Sequence, residues 1–236
     1  LKRLLNALKN KEKRVVVGIE TGNVPGYVGA AVVEISKNGN DTVLDLHGFR
    51  SHPLPEELLS TLELLGKGGE FDSEEIAGIN FLVLHNLSGL YREVLDEVGL
   101  KMDGVHLIGL KGMEVGGEVF PQDPSALSEV TGCVVASRFS IGIEDEDGGL
   151  LPVKESLLQR MLDDMIDRFG LESDVREAVG VALLANESLF HERSEKCRPD
   201  GEAAGRKRSS LRAVKRTSTG EGKSPAFLCG EFFFPE

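Results

Sequence analysis

The sequence predicts an α/β fold, on three observations. Two apolar, β-branched runs flank a turn rich in glycine, asparagine and proline. Val15, Val16 and Val17 lead into residues 18–29, and residues 30–33 lead back out, the pattern of two strands joined by a turn. Stretches with apolar residues at helical spacing then alternate with short buried runs at 105–108 and 133–136, as helices do between the strands of one sheet. Finally, 236 residues that are 40% apolar are enough chain for a real core, in one large domain or two small ones.

The elements follow in order. Residues 1–14 place Leu4, Leu5 and Leu8 among Lys2, Arg3, Lys9, Lys11, Lys13 and Arg14. They read as a short amphipathic surface helix or a basic leader, because three leucines bury too little for a membrane anchor. The turn at 18–29 reads as a hairpin with a generous loop. A phosphate cradle is the alternative, because glycines let backbone N–H groups approach an anion closely. Asn38, Gly39 and Asn40 signal a further turn, and 42–49 forms a third strand, completing a meander that Pro53 stops. Pro55, Glu56 and Glu57 suit a helix N-terminus, and that helix reaches about Leu65. Asp72 or Ser73 caps the next helix, which runs at helical spacing from Ile76 to Val98. His85 and Tyr91 lie along it as structural residues.

The strand at 105–108 ends in a second glycine-rich turn, 109–117. In open α/β sheets ligands sit beyond the carboxyl ends of strands, so this turn is a site position. A short helix over 123–130, capped at Asp123 or Ser125, precedes the strand at 133–136. Residues 140–149 read as a polar loop. Its four adjacent acids, Glu144, Asp145, Glu146 and Asp147, lack the alternating spacing of a calcium loop. Helices follow over 153–169 and 173–190. Residues 193–223 carry ten Lys or Arg against four acids, and the chain closes on Phe232, Phe233 and Phe234. Residues 193–236 therefore read as a disordered basic tail.

Composition excludes several classes. The net charge of −12 argues against nucleic acid as the main partner, although the basic tail could meet anionic surfaces. Cys133, Cys197 and Cys229 are widely spaced and make neither a disulfide framework nor a zinc site. The five histidines form no ligand pattern. No apolar run approaches the length of a membrane span and no signal peptide is visible. A reducing compartment, the cytoplasm, is expected.

The order of segments resembles the 1,6-anhydro-N-acetylmuramic acid kinase family, which includes fungal levoglucosan kinases. That family opens with G-x-M-S-G-T-S-x-D-G-x-D-A-A. Here Gly18, Thr21, Gly22, Asn23, Gly26, Gly29, Ala30 and Ala31 stand in that register. Leu46 to Leu58, with Pro53 and Pro55, is similar to the family's L-x-x-x-x-x-P-Y-P-x-x-L. Residues 108–115 sit where the family has I-G-S-H-G-Q-T-V. Asp123, Pro124, Thr131, Gly132 and 134–136 are similar to its G-E-P-x-x-I, T-G and V-V-x-D-F-R. Residues 177–185 are similar to a helix near its C-terminal end. The resemblance spans roughly residues 15–190.

The resemblance implies an actin-like, ribonuclease-H-related sugar kinase fold over 15–192, mainly its N-terminal lobe. It implies a phosphotransferase with an alcohol group as acceptor, which uses ATP and Mg²⁺ to open and phosphorylate an anhydro-sugar. It carries nucleotide-phosphate binding onto Gly18, Thr21, Gly22 and Asn23. The chain departs from the family in its chemistry. Gly26 and Gly29 replace the two aspartates of the opening loop, Gly142 stands near the catalytic aspartate's position, and Lys111 and Met113 replace the histidine and glutamine. Only residues 170–172 stand where the family carries a long segment of its second lobe. Phosphoryl transfer needs carboxylate-held Mg²⁺ and a positioned base, so a truncated, degenerate member with catalysis lost is expected. In one alternative, Glu144 to Asp147 supply the acids and a homodimer partner completes the cleft. In another, the chain is a non-catalytic interaction domain that uses the glycine-rich face or the basic tail.

Overall fold

The computed structural model describes residues 2–21, 26–38, 41–115, 118–119, 123–144, 150–152, 163, 166–167, 169–172, 175–190, 211–217 and 226–235. They build one mixed sheet with helices on both faces. The strands are β1 (Lys13–Glu20), β2 (Tyr27–Ser36), β3 (Val43–Pro53), β4 (Leu107–Leu110), β7 (Val135–Glu144), β8 (Leu150–Pro152), β9 (Leu211–Thr217) and β10 (Ala226–Phe233). A separate two-stranded ribbon pairs β5 (Glu114–Val115) with β6 (Glu118–Val119). The main sheet runs β3-β2-β1-β4-β7-β10-β9, with β8 also on β7. β1 to β3 form the expected antiparallel meander, while β4 lies parallel to β1 and β7 parallel to β4.

The helices are α1 (Lys2–Lys9), α2 (Glu56–Gly66), α3 (Ser73–Glu97), α4 (Pro124–Thr131) and α5 (Arg176–Leu189). Local chemistry explains their ends. Asp72 accepts from the backbone N–H groups of Glu74 and Glu75, and the Glu75 carboxylate accepts from Asp72 N–H at 2.8 Å, a reciprocal cap that satisfies orphan donors. Asp123 caps α4 ahead of Pro124, and Gly132 ends it at φ 68°, a conformation glycine adopts without penalty.

The central strands are buried on both faces, which explains why their sequence is continuously apolar instead of alternating. On one face Val16, Val33, Leu107, Ala136, Phe232 and Phe234 pack against α5 and Leu8 of α1. On the other, Val17, Ile19, Val32, Ile108, Val135 and Phe233 pack against α2, α3 and α4. Tyr91 is fully buried in this second layer, with its hydroxyl 3.5 Å from Cys133 Sγ.

Four expectations change. The first turn begins at Thr21, not Gly18, because Ile19 is a fully buried core residue and its strand continues to Glu20. The region 140–149 is not a loop from its start: β7 runs to Glu144 and turns back through β8, with 145–149 outside the described residues. A tail without structure over 193–236 is corrected for 211–217 and 226–235. β10 pairs with β7 and β9 with β10. Phe232, Phe233 and Phe234 are at most 6% exposed, so apolar burial fixes this segment. Arg14, placed at the end of a leader, is 1% exposed. Its guanidinium donates to Asn186 Oδ1 at 2.7 Å and to the carbonyls of Lys11 and Lys37. The helix expected over 153–169 falls largely outside the described residues.

Candidate functional site at the carboxyl edge of the sheet

β1 and β4 end side by side, and Lys111 N–H donates to the Ile19 carbonyl at 3.0 Å. The Thr21 hydroxyl donates to the Lys111 carbonyl at 3.0 Å and is 4% exposed. This contact ties the two strand ends together. Lys111 Nζ lies 3.7 Å from Glu177 Oε2, and Glu177 belongs to the first turn of α5. α5 therefore directs its N-terminus, the positive end of its dipole, at the edge where β1 and β4 finish.

A row of small residues seats α5. Gly18 on β1 pairs with Ala31 on β2 and Gly109 on β4, and Gly109 pairs with Ala136 on β7. A Cβ on Gly18 would overlap the Ala178 carbonyl and stand 2.7 Å from Ala182 N. One on Gly109 would stand 2.6 Å from the Val181 carbonyl oxygen. Both glycines permit close approach of a helix backbone to a strand, the use glycine serves wherever a Cβ does not fit. Of the four residues assigned to phosphate, Gly18 thus lies under α5 and Thr21 at the strand junction. Gly22 and Asn23 lie outside the described residues.

Gly26 is half-buried and Gly29 buried. Gly26 has φ 88°, and a Cβ there would meet Leu59 Cδ2 at 2.9 Å. At Gly29 a Cβ would stand 2.8 Å from Glu20 Oε1 and 3.2 Å from the Phe49 ring. Glu20 pairs directly across from Gly29, so a side chain at 29 would displace its carboxylate.

Further along the same edge, β7 carries a bulge. Cys229 and Glu231 of β10 oppose Ser140 and Ser137, and Arg138 between the latter adopts φ 54°. The extra residue bends the strand and re-aims its side chains. Arg138 Nη1 donates to Glu231 Oε2 at 3.0 Å, and its guanidinium stands 5.3 Å from the centre of the Phe233 ring. Among the described residues no three His, Cys, Asp or Glu come together as a metal cage. Asp145, Glu146 and Asp147 lie outside them.

Sequence reasoning does not reach Glu20, Arg138, Glu177 and Glu231 as residues of this edge. Glu20 adjoins Thr21 in the opening motif, and Glu231 is a lone acid in an apolar run. Both signals were present, but their spatial partners lie far along the chain.

These features define an α/β protein with a mixed sheet and a charged carboxyl edge, compatible with a kinase-like α/β fold. No protein-family model matches the chain. The chain is 26% identical over 181 residues to the anhydro-N-acetylmuramic acid kinase of Caldanaerobacter subterraneus subsp. tengcongensis, an alignment that covers 70% of this chain and 46% of that protein. The relationship is distant, and the chain spans less than half the length of that relative. No helix among the described residues is long and apolar enough to cross a membrane.

Proposed function

We propose that the chain is a sugar-kinase-like protein of actin-like fold whose opening loop receives a nucleotide phosphate without transferring it. The carrying observation is the pair of glycines at this turn: Gly26, at φ 88° beside Leu59, and Gly29, beside the Glu20 carboxylate and the Phe49 ring, stand where the resemblance places two aspartates. In this reading Gly22 and Asn23 lead the loop that meets the phosphate, Thr21 anchors it to β4, and Gly18 lets α5 approach. The N-terminus of α5 faces that edge, where helix ends favour anions, and Lys111 pairs there with Glu177.

Two further aspects of the reading are its substrate and its cofactor. The relative is named for an anhydro-sugar, which makes such a sugar the substrate class to test. ATP and Mg²⁺ are the cofactors the resemblance implies. Among the described residues no three His, Cys, Asp or Glu gather to hold Mg²⁺. Gly26, Gly29, Lys111 and Met113, where the resembled motifs carry aspartates, histidine and glutamine, support the reading that catalysis is lost.

The test is a thermal melt of the chain with and without MgATP and a 1,6-anhydro-sugar, followed by a transfer assay. At about 100 times Kd, linkage contributes about 2.7 kcal/mol, a rise of roughly 5–10 °C for a chain of this size. That rise, its loss in Gly22→Val and no phosphorylated sugar are the expected results. No rise with MgATP overturns the phosphate reading, and turnover overturns the loss of catalysis.

A further inference from the structure

We propose that the outer face of α3 pairs antiparallel with α3 of a second copy of this chain, about a two-fold axis at residues 83–84. α3 turns Ile79, Val83, Leu87 and Leu90 into the core. Its opposite side carries a stripe at helical spacing: Glu74, Gly78, Phe81, Leu82, His85, Gly89 and Arg92. Phe81 is 67% exposed and Leu82 beside it 48%. Large apolar side chains are ordinary on a surface when scattered, but grouped on one helix face they mark an interaction surface. Gly78 and Gly89 lie on the same stripe, about three turns apart. A Cβ at either would meet nothing within 4 Å. The fold around them therefore does not require glycine, and glycine inside a helix is less stable than alanine. A bare backbone at these two points does let a second backbone approach closely.

The stripe selects its occupant. Glu74 and Arg92, Gly78 and Gly89, and Phe81 and His85 form three pairs, each centred on residues 83–84. Antiparallel pairing about that centre brings every member level with its pair-mate on the second helix. Glu74 then meets Arg92 at both ends, and the glycines oppose each other at two points of close approach. The Phe81 and His85 rings, stacked with centroids 6.4 Å apart, meet their own copies in the middle. A surface that is its own complement under a two-fold closes as a dimer. Parallel pairing would instead set Glu74 against Glu74 and Arg92 against Arg92, and like charges facing each other are unfavourable. A partner of different sequence would have no reason to match this symmetry. From Glu74 to Arg92 the stripe is about 27 Å long, which gives the pair several turns of contact.

The test is sedimentation equilibrium of the full chain over about 1–100 μM, without nucleotide, so that the outcome is independent of the opening loop. A monomer–dimer equilibrium is expected. Gly78→Leu places its side chain in open space in the monomer, so it should melt as cooperatively as the parent while dimerising at least about tenfold more weakly. If it does not fold, Phe81→Ala, at a position already 67% exposed, takes its place with the same expected loss. Glu74→Arg and Arg92→Glu should each weaken the dimer about tenfold, and the double variant, which exchanges the two charges, should recover the parent's affinity. A chain that stays monomeric throughout overturns the second copy as occupant and leaves the face to a partner of other sequence. A dimer that Gly78→Leu and Phe81→Ala leave unchanged overturns α3 as the interface. No recovery in the double variant overturns the antiparallel register.

Discussion

At the scale of single residues, Gly18 shows how one residue type serves two structural uses. A glycine after three valines reads as the start of a turn, yet residue 18 stays in the strand because Ala178 and Ala182 press on it. Nothing local distinguishes the two, since the deciding helix lies some 160 residues further on. Gly18→Ala drives a methyl group into backbone and should cost about 3 kcal/mol or more, the upper range for overpacking, read as a lower urea midpoint with unchanged slope. His106 gives a pH prediction. Its Nδ1 accepts from Val15 N–H at 2.9 Å, so the bond needs the neutral ring. Burial, then Lys11 and Arg14, hold its pKa below the ordinary 6.5. The unfolded chain therefore takes up the proton first as pH falls. The stability that His106 contributes is complete above about pH 6.5 and declines as pH drops through the lower folded value. In His106→Asn an amide oxygen can accept without titrating. Melting temperatures of the two proteins should diverge between neutral and mildly acid pH and run parallel above it.

Elements were legible where a pattern was long and its punctuation local. The meander, α2, the Asp72 cap of α3, and α4 between Asp123 and Gly132 all carry their signals within a few residues. The C-terminal strands do not. Residues 193–223 are dominated by charge, and that composition hid an apolar strand that follows it, although Phe232, Phe233 and Phe234 were visible as an anomaly. Three consecutive phenylalanines can bury only if both sides of a strand are covered. β10 meets that condition between α5 on one face and α4 on the other. Phe232, 1% exposed, should then behave as a core residue. Phe232→Ala is expected to cost about 3–5 kcal/mol. Amide exchange at 228–233 should be as slow as in β7. A change below about 0.5 kcal/mol, the scale of surface substitutions, would instead place Phe232 outside the core. The site was legible only in its neighbourhood: the sequence starts its two glycine-rich turns at Gly18 and Gly109, whereas the strands run on to Glu20 and Leu110, and Glu177 and Glu231 reach that edge only through tertiary packing.

For the whole molecule, the question is whether residues 1–14 are a leader or part of one cooperative unit. Arg14 bears on it directly. The guanidinium joins β1 to Asn186 of α5, to the carbonyl of Lys37 after β2 and to Lys11 after α1. It also stands 4.8 Å from the centre of the Phe190 ring. Asn186 and Glu187 beside it are at most 1% exposed, and Thr42 before β3 donates to Glu187 Oε1 at 3.3 Å. Segments separated by more than 170 residues thus share one buried polar cluster. Removing one partner from such a cluster leaves a buried charge uncompensated, at about 3–5 kcal/mol, a large share of a typical domain's stability of about 5–15 kcal/mol. Arg14→Ala should therefore lower stability by that amount in a single transition, and amides of α5 and of β1–β3 should lose exchange protection together. If the segment were a separable leader, the substitution would leave the melt unmoved and α5 fully protected. A loss confined to α1 would mean that the cluster only pins the N-terminus. Loss of protection across both ends of the chain would mean that it couples the meander to the helix that roofs the candidate site.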